Sequence, residues 1–170
     1  AAAETANVVR VVSIHYSKGL EFPVVFLAGC EMKFNRQGHY ADLLVHPHAG
    51  IGLKRRDPQT AARFCTAAYY AVQLETERDE LSEQLRVLYV ALTRAKEKLY
   101  LLTALKHPAR KLASLASQLE GTEPVAPFTV RNGTSFSDWI LAAALRHPDG
   151  GILRELANEQ ALPILPALPW

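Results

Sequence analysis

Several features are scarce or absent in this 170-residue sequence, and each absence narrows the class of protein. The two cysteines, Cys30 and Cys65, lie far apart without a CxxC pair, which argues against a disulfide framework or a zinc site. No apolar run approaches the roughly 18 residues of a membrane span. The opening stretch AAAETANVVR lacks a basic start followed by an apolar core, so we expect no signal peptide. These absences favour a reducing, cytoplasmic setting without a membrane partner.

The composition is that of an ordinary globular chain. Hydrophobic residues make up 49% and charged residues 21% of the sequence, so we expect a packed core. The net charge of +2 neither requires nor excludes nucleic acid, because a small basic groove fits on a nearly neutral protein. The sequence begins at Ala1 and closes in the proline-rich stretch LPILPALPW. We therefore expect a piece of a longer protein.

The hydrophobic pattern alternates between strands and helices. Apolar, β-branched runs predict a largely buried strand over 8–14, a strand over 24–28, two short strands within 43–54, and a strand over 99–103. Asp57-Pro58 resembles a helix start and is followed by a stretch to about Ala95 without glycine or proline. Further helices are predicted over 111–119, 137–146 with Ser135 or Ser137 as cap, and 152–160. This order predicts an α/β fold with a mainly parallel sheet and flanking helices.

Two local patterns support core or loop roles. Four leucines at helical spacing predict one buried face of the long helix: Leu81, Leu85, Leu88 and Leu92. The histidines that precede that helix are His39, His46 and His48, but proline separates two of them, and neither a cysteine nor a carboxylate triad lies nearby. We therefore expect a solvated loop there and no metal site.

The polar insert His15-Tyr16-Ser17-Lys18-Gly19 follows the first predicted strand directly. In α/β sheets, ligands gather at loops that leave the carboxyl ends of strands. Lys18 supplies a charge for a phosphate, His15 and Ser17 supply hydrogen-bond donors, and Gly19 permits close backbone approach. Glu21 does not favour phosphate and suits a hydroxyl or a cation instead. A polar turn with a solvated glutamate explains these residue types equally well.

A second polar group ends the long helix, in the stretch QLRVLYVALTRAKEKLYL. Arg94 stands there at the junction with the next strand, where its planar, permanently charged guanidinium would suit a phosphoryl group. Taken alone, Arg94 is explained better as an exposed cation near a helix carboxyl end.

Together the two segments resemble motifs V and VI of superfamily 1 helicases of the UvrD/Rep type. The first matches the family pattern H-x-x-KGLEF-x-x-V in HYSKGLEFPVV, and the second matches YVA-[LV]-TRA in YVALTRA. The stretches GIGLK and SFSDWILAAALRHPDG also resemble the AddA component of AddAB helicase–nucleases. The resemblance extends over roughly residues 8–150.

The resemblance implies a role for each matched residue. In the family this region forms most of the second RecA-like domain, a P-loop NTPase-like fold that closes on ATP bound to the first. It implies that Arg94 reaches the γ-phosphate, while Glu21 and Gly19 lie near the nucleotide. It also implies that one group of residues faces single-stranded DNA: Ser13, His15, Ser17 and Lys18.

The resemblance also sets the expected division and partners. Residues 1–106 would form the motor-domain segment, and 107–170 a helical extension with a linker-like tail. The implied partners are ATP, Mg²⁺, DNA, an AddB-type protein and the first RecA-like domain of a bacterial parent chain. The sequence contains no GxxxxGK[ST] phosphate loop, so we expect these 170 residues alone to be inactive.

Three functions remain open. An AddA-type protein that translocates on and unwinds DNA in recombinational repair of double-strand breaks, with a nuclease elsewhere in the parent, agrees best with GIGLK and SFSDWIL. A general UvrD/Rep-type repair helicase is the nearest alternative. The third is a binding module with a decayed ATPase, against which the presence of both Glu21 and Arg94 argues.

Overall fold

The computed structural model describes residues 8–35, 41–119 and 125–165. Within these ranges the strands are β1 (Phe22–Leu27), β2 (Leu43–His46), β3 (Gly50–Arg56), β4 (Arg63–Cys65) and β5 (Ala95–Leu101). The helices are α1 (Ala67–Leu92), α2 (Pro108–Ala116), α3 (Pro127–Asn132), α4 (Phe136–Arg146) and α5 (Gly151–Ala157). The predicted α/β class is confirmed.

The strands form two separate sheets. β1 and β5 pair in parallel, with Phe22 opposite Ala95 and Leu27 opposite Leu101. β2, β3 and β4 form an antiparallel sheet, in which Leu43 lies opposite Leu53. The prediction of a mainly parallel sheet is therefore wrong for the described residues, where the parallel pairing is limited to β1 and β5.

The predicted hairpin within 43–54 is confirmed, and it packs on the start of α1. Thr66 caps that helix by accepting from the Tyr69 backbone N–H at 3.1 Å, and its hydroxyl donates to the Leu53 carbonyl at 2.8 Å. Gly52 lies against the helix so closely that a Cβ there would approach the Tyr69 Cα to 2.6 Å. The hairpin and helix enclose a small core of Leu44, Tyr69 and Val72.

The prediction that a helix begins at Asp57 is wrong, because that side chain stabilises a turn instead. Asp57 Oδ1 accepts from the backbone N–H groups of Gln59 at 2.8 Å and Thr60 at 3.4 Å. These hydrogen bonds hold the pKa of Asp57 below its ordinary value. The chain then forms β4, which the sequence pattern did not reveal, before α1 begins at Ala67.

The leucine face of α1 is only partly buried. Leu88 is buried with Ala91 beneath β1, in a cluster that includes Trp139, and Leu81 packs at its edge. Leu85 and Leu92 are 41% and 37% exposed, so their prediction as core is wrong. The cluster lies beside the last part of α1 and does not extend along its whole leucine face.

The predicted buried strand over 8–14 is also wrong. Residues 8–13 have no regular structure, and Val9 and Val11 are 95% and 97% exposed. β-branched residues favour a strand only where a neighbouring strand and a packing surface are present. In the described part of the chain no strand lies alongside this segment.

Three of the carboxyl-terminal helices share one core, and their positions confirm the three predictions within about three residues. α2 and α4 pack through Leu112, Leu115, Leu141 and Leu145, and α5 adds Ala157 to this core. Ser135 caps α4, as predicted, by accepting from the Asp138 backbone N–H. The short α3 is an addition to the predicted elements. The Ser137 backbone N–H donates to the Cys30 carbonyl at 2.7 Å, which connects these helices to the end of β1.

His46 belongs to the fold rather than to a solvated loop. Its Nε2 lies 3.1 Å from Asp79 Oδ2 on α1, and its Nδ1 accepts from the backbone N–H groups of His48 and Ala49. The solvated-loop prediction is therefore wrong for His46 and agrees with the exposed His48, while His39 lies outside the described residues. Among the helices described, none combines the length and apolar character that crossing a bilayer requires.

Candidate functional site

The polar insert of the first segment forms one helical turn. The backbone N–H of Ser17 donates to the carbonyls of Ser13 and Ile14, and the N–H of Leu20 donates to the carbonyl of Ser17. Gly19 ends the turn with φ of +82°, a left-handed conformation that glycine adopts at little cost. Nothing lies within 4 Å of the position that a Cβ would take at Gly19. Glycine is therefore explained here by the backbone angle and not by the close approach of another part of the described chain.

The four residues assigned to DNA differ in what they present to solvent. His15 and Lys18 are exposed, and the described residues offer neither side chain a hydrogen bond or ion pair. Ser13 is exposed, and its hydroxyl accepts from the Tyr16 backbone N–H at 3.3 Å. Ser17 is 5% exposed and its hydroxyl donates to the Ile14 carbonyl at 2.7 Å, which gives it a role inside the turn.

Arg94 joins the two segments. Its Nε donates to the Val90 carbonyl of α1 at 2.8 Å, and its Nη1 donates to the Leu20 carbonyl at 3.0 Å. The Arg94 carbonyl in turn accepts from the Phe22 backbone N–H at 2.9 Å. The guanidinium is half-buried, so it links the end of α1 to the turn and still reaches the surface.

Thr93 completes the arrangement around this guanidinium. Its hydroxyl accepts from Arg94 Nη2 at 2.9 Å and faces the helix carbonyls of Tyr89 at 2.9 Å and Val90 at 3.2 Å. Three of the five N–H groups of a guanidinium are thus engaged by described residues. A permanent charge held in a fixed direction, with donors remaining, suits an oxyanion ligand.

Glu21 has a cationic neighbour. One of its carboxylate oxygens lies 3.3 Å from the Lys96 Nζ, and the two side chains are 59% and 57% exposed. An ion pair this exposed contributes little to stability, about 0–1 kcal/mol. A hydroxyl or a cation was expected to suit Glu21, and Lys96 of the same chain is such a cation. The Glu21 carboxylate nevertheless remains exposed to solvent.

The site lies at the opposite end of the strands from the one expected. The turn containing His15 and Lys18 precedes β1, and Arg94 precedes β5, so both segments meet at the amino ends of a parallel pair. The expectation of a carboxyl-end loop depended on the strand over 8–14, which the structure does not contain. The parallel register brings the segments together, because Phe22 pairs with Ala95.

The residues that sequence reasoning missed are Thr93 and Lys96. Thr93 belongs to the matched motif without a role of its own, although a threonine four residues after Tyr89 on a helix has a carbonyl within reach. Lys96 follows Arg94 by two residues, and only the pairing of β1 with β5 reveals its proximity to Glu21.

Metal-binding side chains are not grouped in the described residues. Nowhere in ranges 8–35, 41–119 and 125–165 do three histidine, cysteine, aspartate or glutamate side chains come together as a metal site would need.

Comparison with known proteins identifies relatives of this chain. Residues 1–106 match the family of UvrD-like helicase C-terminal domains. The A subunit of the ATP-dependent helicase/nuclease of Heliobacterium modesticaldum is 43% identical over 158 residues, which is 91% of this chain and 11% of the relative. The corresponding proteins from Bacillus cytotoxicus and Thermoanaerobacter pseudethanolicus are 41% and 42% identical over 93% and 91% of the chain. This chain covers 13% of each of these two relatives, so it spans only about an eighth of their length.

Proposed function

The chain belongs to the family of UvrD-like helicase C-terminal domains, and from this premise we propose that it is the second RecA-like motor segment of an ATP-dependent DNA helicase–nuclease. In the full-length protein it would couple ATP hydrolysis to movement along single-stranded DNA during recombinational repair of double-strand breaks. The similarity to the helicase/nuclease relatives over 91–93% of the chain supports this choice over a general repair helicase.

The observation that carries the proposal is the position of the Arg94 guanidinium. It lies between the Val90 and Leu20 carbonyls, and therefore touches both motif segments at once. A guanidinium in this place would stabilise the negative charge that develops on the transferring phosphoryl oxygens of bound ATP. A cation stabilises the phosphoryl charge most when it is already oriented before the reaction. The three hydrogen bonds of Arg94 provide that orientation.

The turn before β1 would supply the DNA contact. His15 and Lys18 belong to a turn that is followed by Leu20, and the Leu20 carbonyl accepts a hydrogen bond from the Arg94 guanidinium. A change in the nucleotide that shifts Arg94 would shift this turn, and the reverse also holds. Two ligands that bias one element in this way give the coupling that stepwise movement needs.

The nucleotide site would be completed by residues outside these 170. Arg94 would face the γ-phosphate of the nucleotide, and Glu21 and Gly19 would lie near its ribose. The sequence has no phosphate-loop pattern that would bind the remaining phosphates. We infer that Mg²⁺ is held with the first RecA-like domain, where it would neutralise phosphate charge. The 170 residues alone would then bind ATP weakly and hydrolyse none.

Replacing Arg94 in the full-length protein tests the proposal. Arg94→Ala should lower DNA-stimulated ATP turnover by about 1,000-fold, the order that loss of an arginine finger produces. Arg94→Lys keeps the charge but not the fork, so it should recover only part of that loss. The exposed Arg110→Ala on α2 is the matched control and should keep wild-type turnover. Wild-type turnover by Arg94→Ala would refute the role assigned to the guanidinium.

A further inference from the structure

Resting on the proposed function, we infer that Thr93 is the positioning residue for the Arg94 guanidinium. The Thr93 hydroxyl accepts from Arg94 Nη2 at 2.9 Å. Thr93 is exposed, so packing does not account for its side chain. The contact with Arg94 is made by the hydroxyl, and a small side chain without one would not make it.

The direction of the hydroxyl is fixed by the end of α1. A threonine hydroxyl has one proton to donate and two lone pairs with which to accept. The proton is directed at the helix carbonyls, with Tyr89 at 2.9 Å and Val90 at 3.2 Å. A lone pair is consequently turned toward the guanidinium, which can only donate.

The contact controls rotation of the guanidinium. Arg94 Nε is bound to the Val90 carbonyl and Nη1 to the Leu20 carbonyl, and these bonds place the fork between helix and turn. The bond to Thr93 engages the other terminal nitrogen, Nη2, and so orients the end of the fork that faces away from Leu20. Without it, the side chain keeps its charge and place but gains rotational freedom.

The expected consequence is specific to the chemical step. Loss of one oriented hydrogen bond to a charged group should lower turnover about tenfold, because the guanidinium would spend less time in the productive direction. The KM for ATP should stay within about twofold, since the charge that attracts the ground-state nucleotide remains.

The chain supplies a matched control on the same helix. Thr76 also donates its hydroxyl to the carbonyl four residues earlier, that of Val72, at 2.8 Å. The described contacts give the Thr76 hydroxyl no arginine partner. Thr76→Val therefore removes the same kind of helix bond while leaving the guanidinium untouched.

The experiment measures kcat and KM for DNA-stimulated ATP hydrolysis by the full-length protein and its Thr93→Val, Thr93→Ser and Thr76→Val variants. We expect a kcat loss of about tenfold for Thr93→Val, near wild-type kcat for Thr93→Ser, which retains the hydroxyl, and near wild-type kcat for Thr76→Val. Thr93→Ala replaces Thr93→Val if valine disturbs the helix end, as judged by thermal unfolding.

A double variant separates positioning from general damage. If Thr93 acts through Arg94, then Thr93→Val combined with Arg94→Ala should turn over ATP no more slowly than Arg94→Ala alone. Additive losses, or a Thr93→Val kcat equal to that of wild type while Arg94→Ala is inactive, would overturn this inference and leave the proposed function standing. An active Arg94→Ala variant would instead overturn the proposed function itself.

Discussion

Arg94 and Arg154 use the same chemistry in two different environments. Arg154 donates through Nη1 to the carbonyls of Leu145 and His147, both at 2.8 Å, and through Nη2 to that of Pro148 at 3.1 Å. It is 6% exposed and closes the end of α4 over α5. Arg94 makes three comparable hydrogen bonds but remains half-buried. We propose that this difference in exposure separates a cation that holds the fold from one that is positioned for a ligand.

The surroundings of the two arginines differ in the same way. In the helical region that contains Arg154, the carboxylate of Asp138 is also buried, and it accepts from Lys111 at 2.7 Å and from the Thr134 backbone N–H at 2.9 Å. In the turn bonded to Arg94, the polar side chains of His15 and Lys18 are exposed. Polar groups that a fold places at the surface, without using them to stabilise itself, are the stronger candidates for binding.

The largest effect expected on stability comes from removing Arg154. Arg154→Ala leaves three carbonyls without their donor, at a cost of about 3 kcal/mol in local stability. Hydrogen exchange of the amides in α4 and α5 measures this loss, because it reports local opening. The exposed Arg110→Ala on α2 is the control and should leave that exchange unchanged. Unchanged exchange in Arg154→Ala would break the comparison, since the buried arginine would then have no structural role.

Removing the partner of Asp138 should have a smaller effect that depends on pH. Burial raises the pKa of Asp138, but the hydrogen bonds from Lys111 and Thr134 and the charge of Lys111 outweigh it and hold the pKa below its ordinary value. The ionised carboxylate therefore adds stability that is fully present above the pKa of the unfolded chain, and that is lost as the pH falls through the lowered folded pKa. Lys111→Met should cost about 2 kcal/mol at neutral pH.

The pH profile checks the cause of that cost. The difference in α4 hydrogen exchange between wild type and Lys111→Met should shrink as the pH falls below the ordinary pKa of an aspartate, near 3.8. The exposed Lys106→Met is the control and should match wild type throughout. A difference that stays constant with pH would show that Lys111 acts through packing instead of its charge.

The smallest effect concerns the exposed side of the candidate site. His15→Ala in the full-length protein should weaken binding of a single-stranded oligonucleotide by about fivefold, since one of several contacts is lost. It should leave ATP affinity and thermal unfolding unchanged, because the side chain is exposed and has no hydrogen bond or ion pair within the described residues. His107→Ala is an exposed control. A larger loss of ATP affinity than of DNA affinity would contradict the assignment of this turn to DNA.

Local patterns predicted the elements that are stabilised locally. The hairpin, the Ser135 cap and the carboxyl-terminal helices depend on turn residues, a capping hydroxyl and helical spacing of leucines, all visible in one sequence. The prediction of a strand over 8–14 was wrong for the opposite reason. Its valines suit a strand, but a strand also needs a neighbour, which local sequence does not reveal. The prediction that a helix begins at Asp57 was wrong because an aspartate side chain that can cap a helix can also stabilise a turn.

For the candidate site, sequence reasoning identified the two segments but not how they meet. The matched motifs pointed to Glu21 and Arg94, and the structure brings their neighbourhoods together through the pairing of β1 with β5. The contacts of Arg94 with Leu20 and Thr93, and of Glu21 with Lys96, depend on side-chain directions that spacing along the chain does not specify. The inward-facing hydroxyl of Ser17 is a further example.

The most direct test of the central claim compares Arg94→Ala with Arg154→Ala in the full-length protein, by DNA-stimulated ATP turnover per folded molecule. We predict that Arg94→Ala loses about 1,000-fold in turnover, while the fraction of Arg154→Ala that remains folded turns over ATP at close to the wild-type rate. Wild-type turnover by Arg94→Ala, or an equal loss in both variants, would contradict the claim that exposure separates the ligand-facing arginine from the structural one.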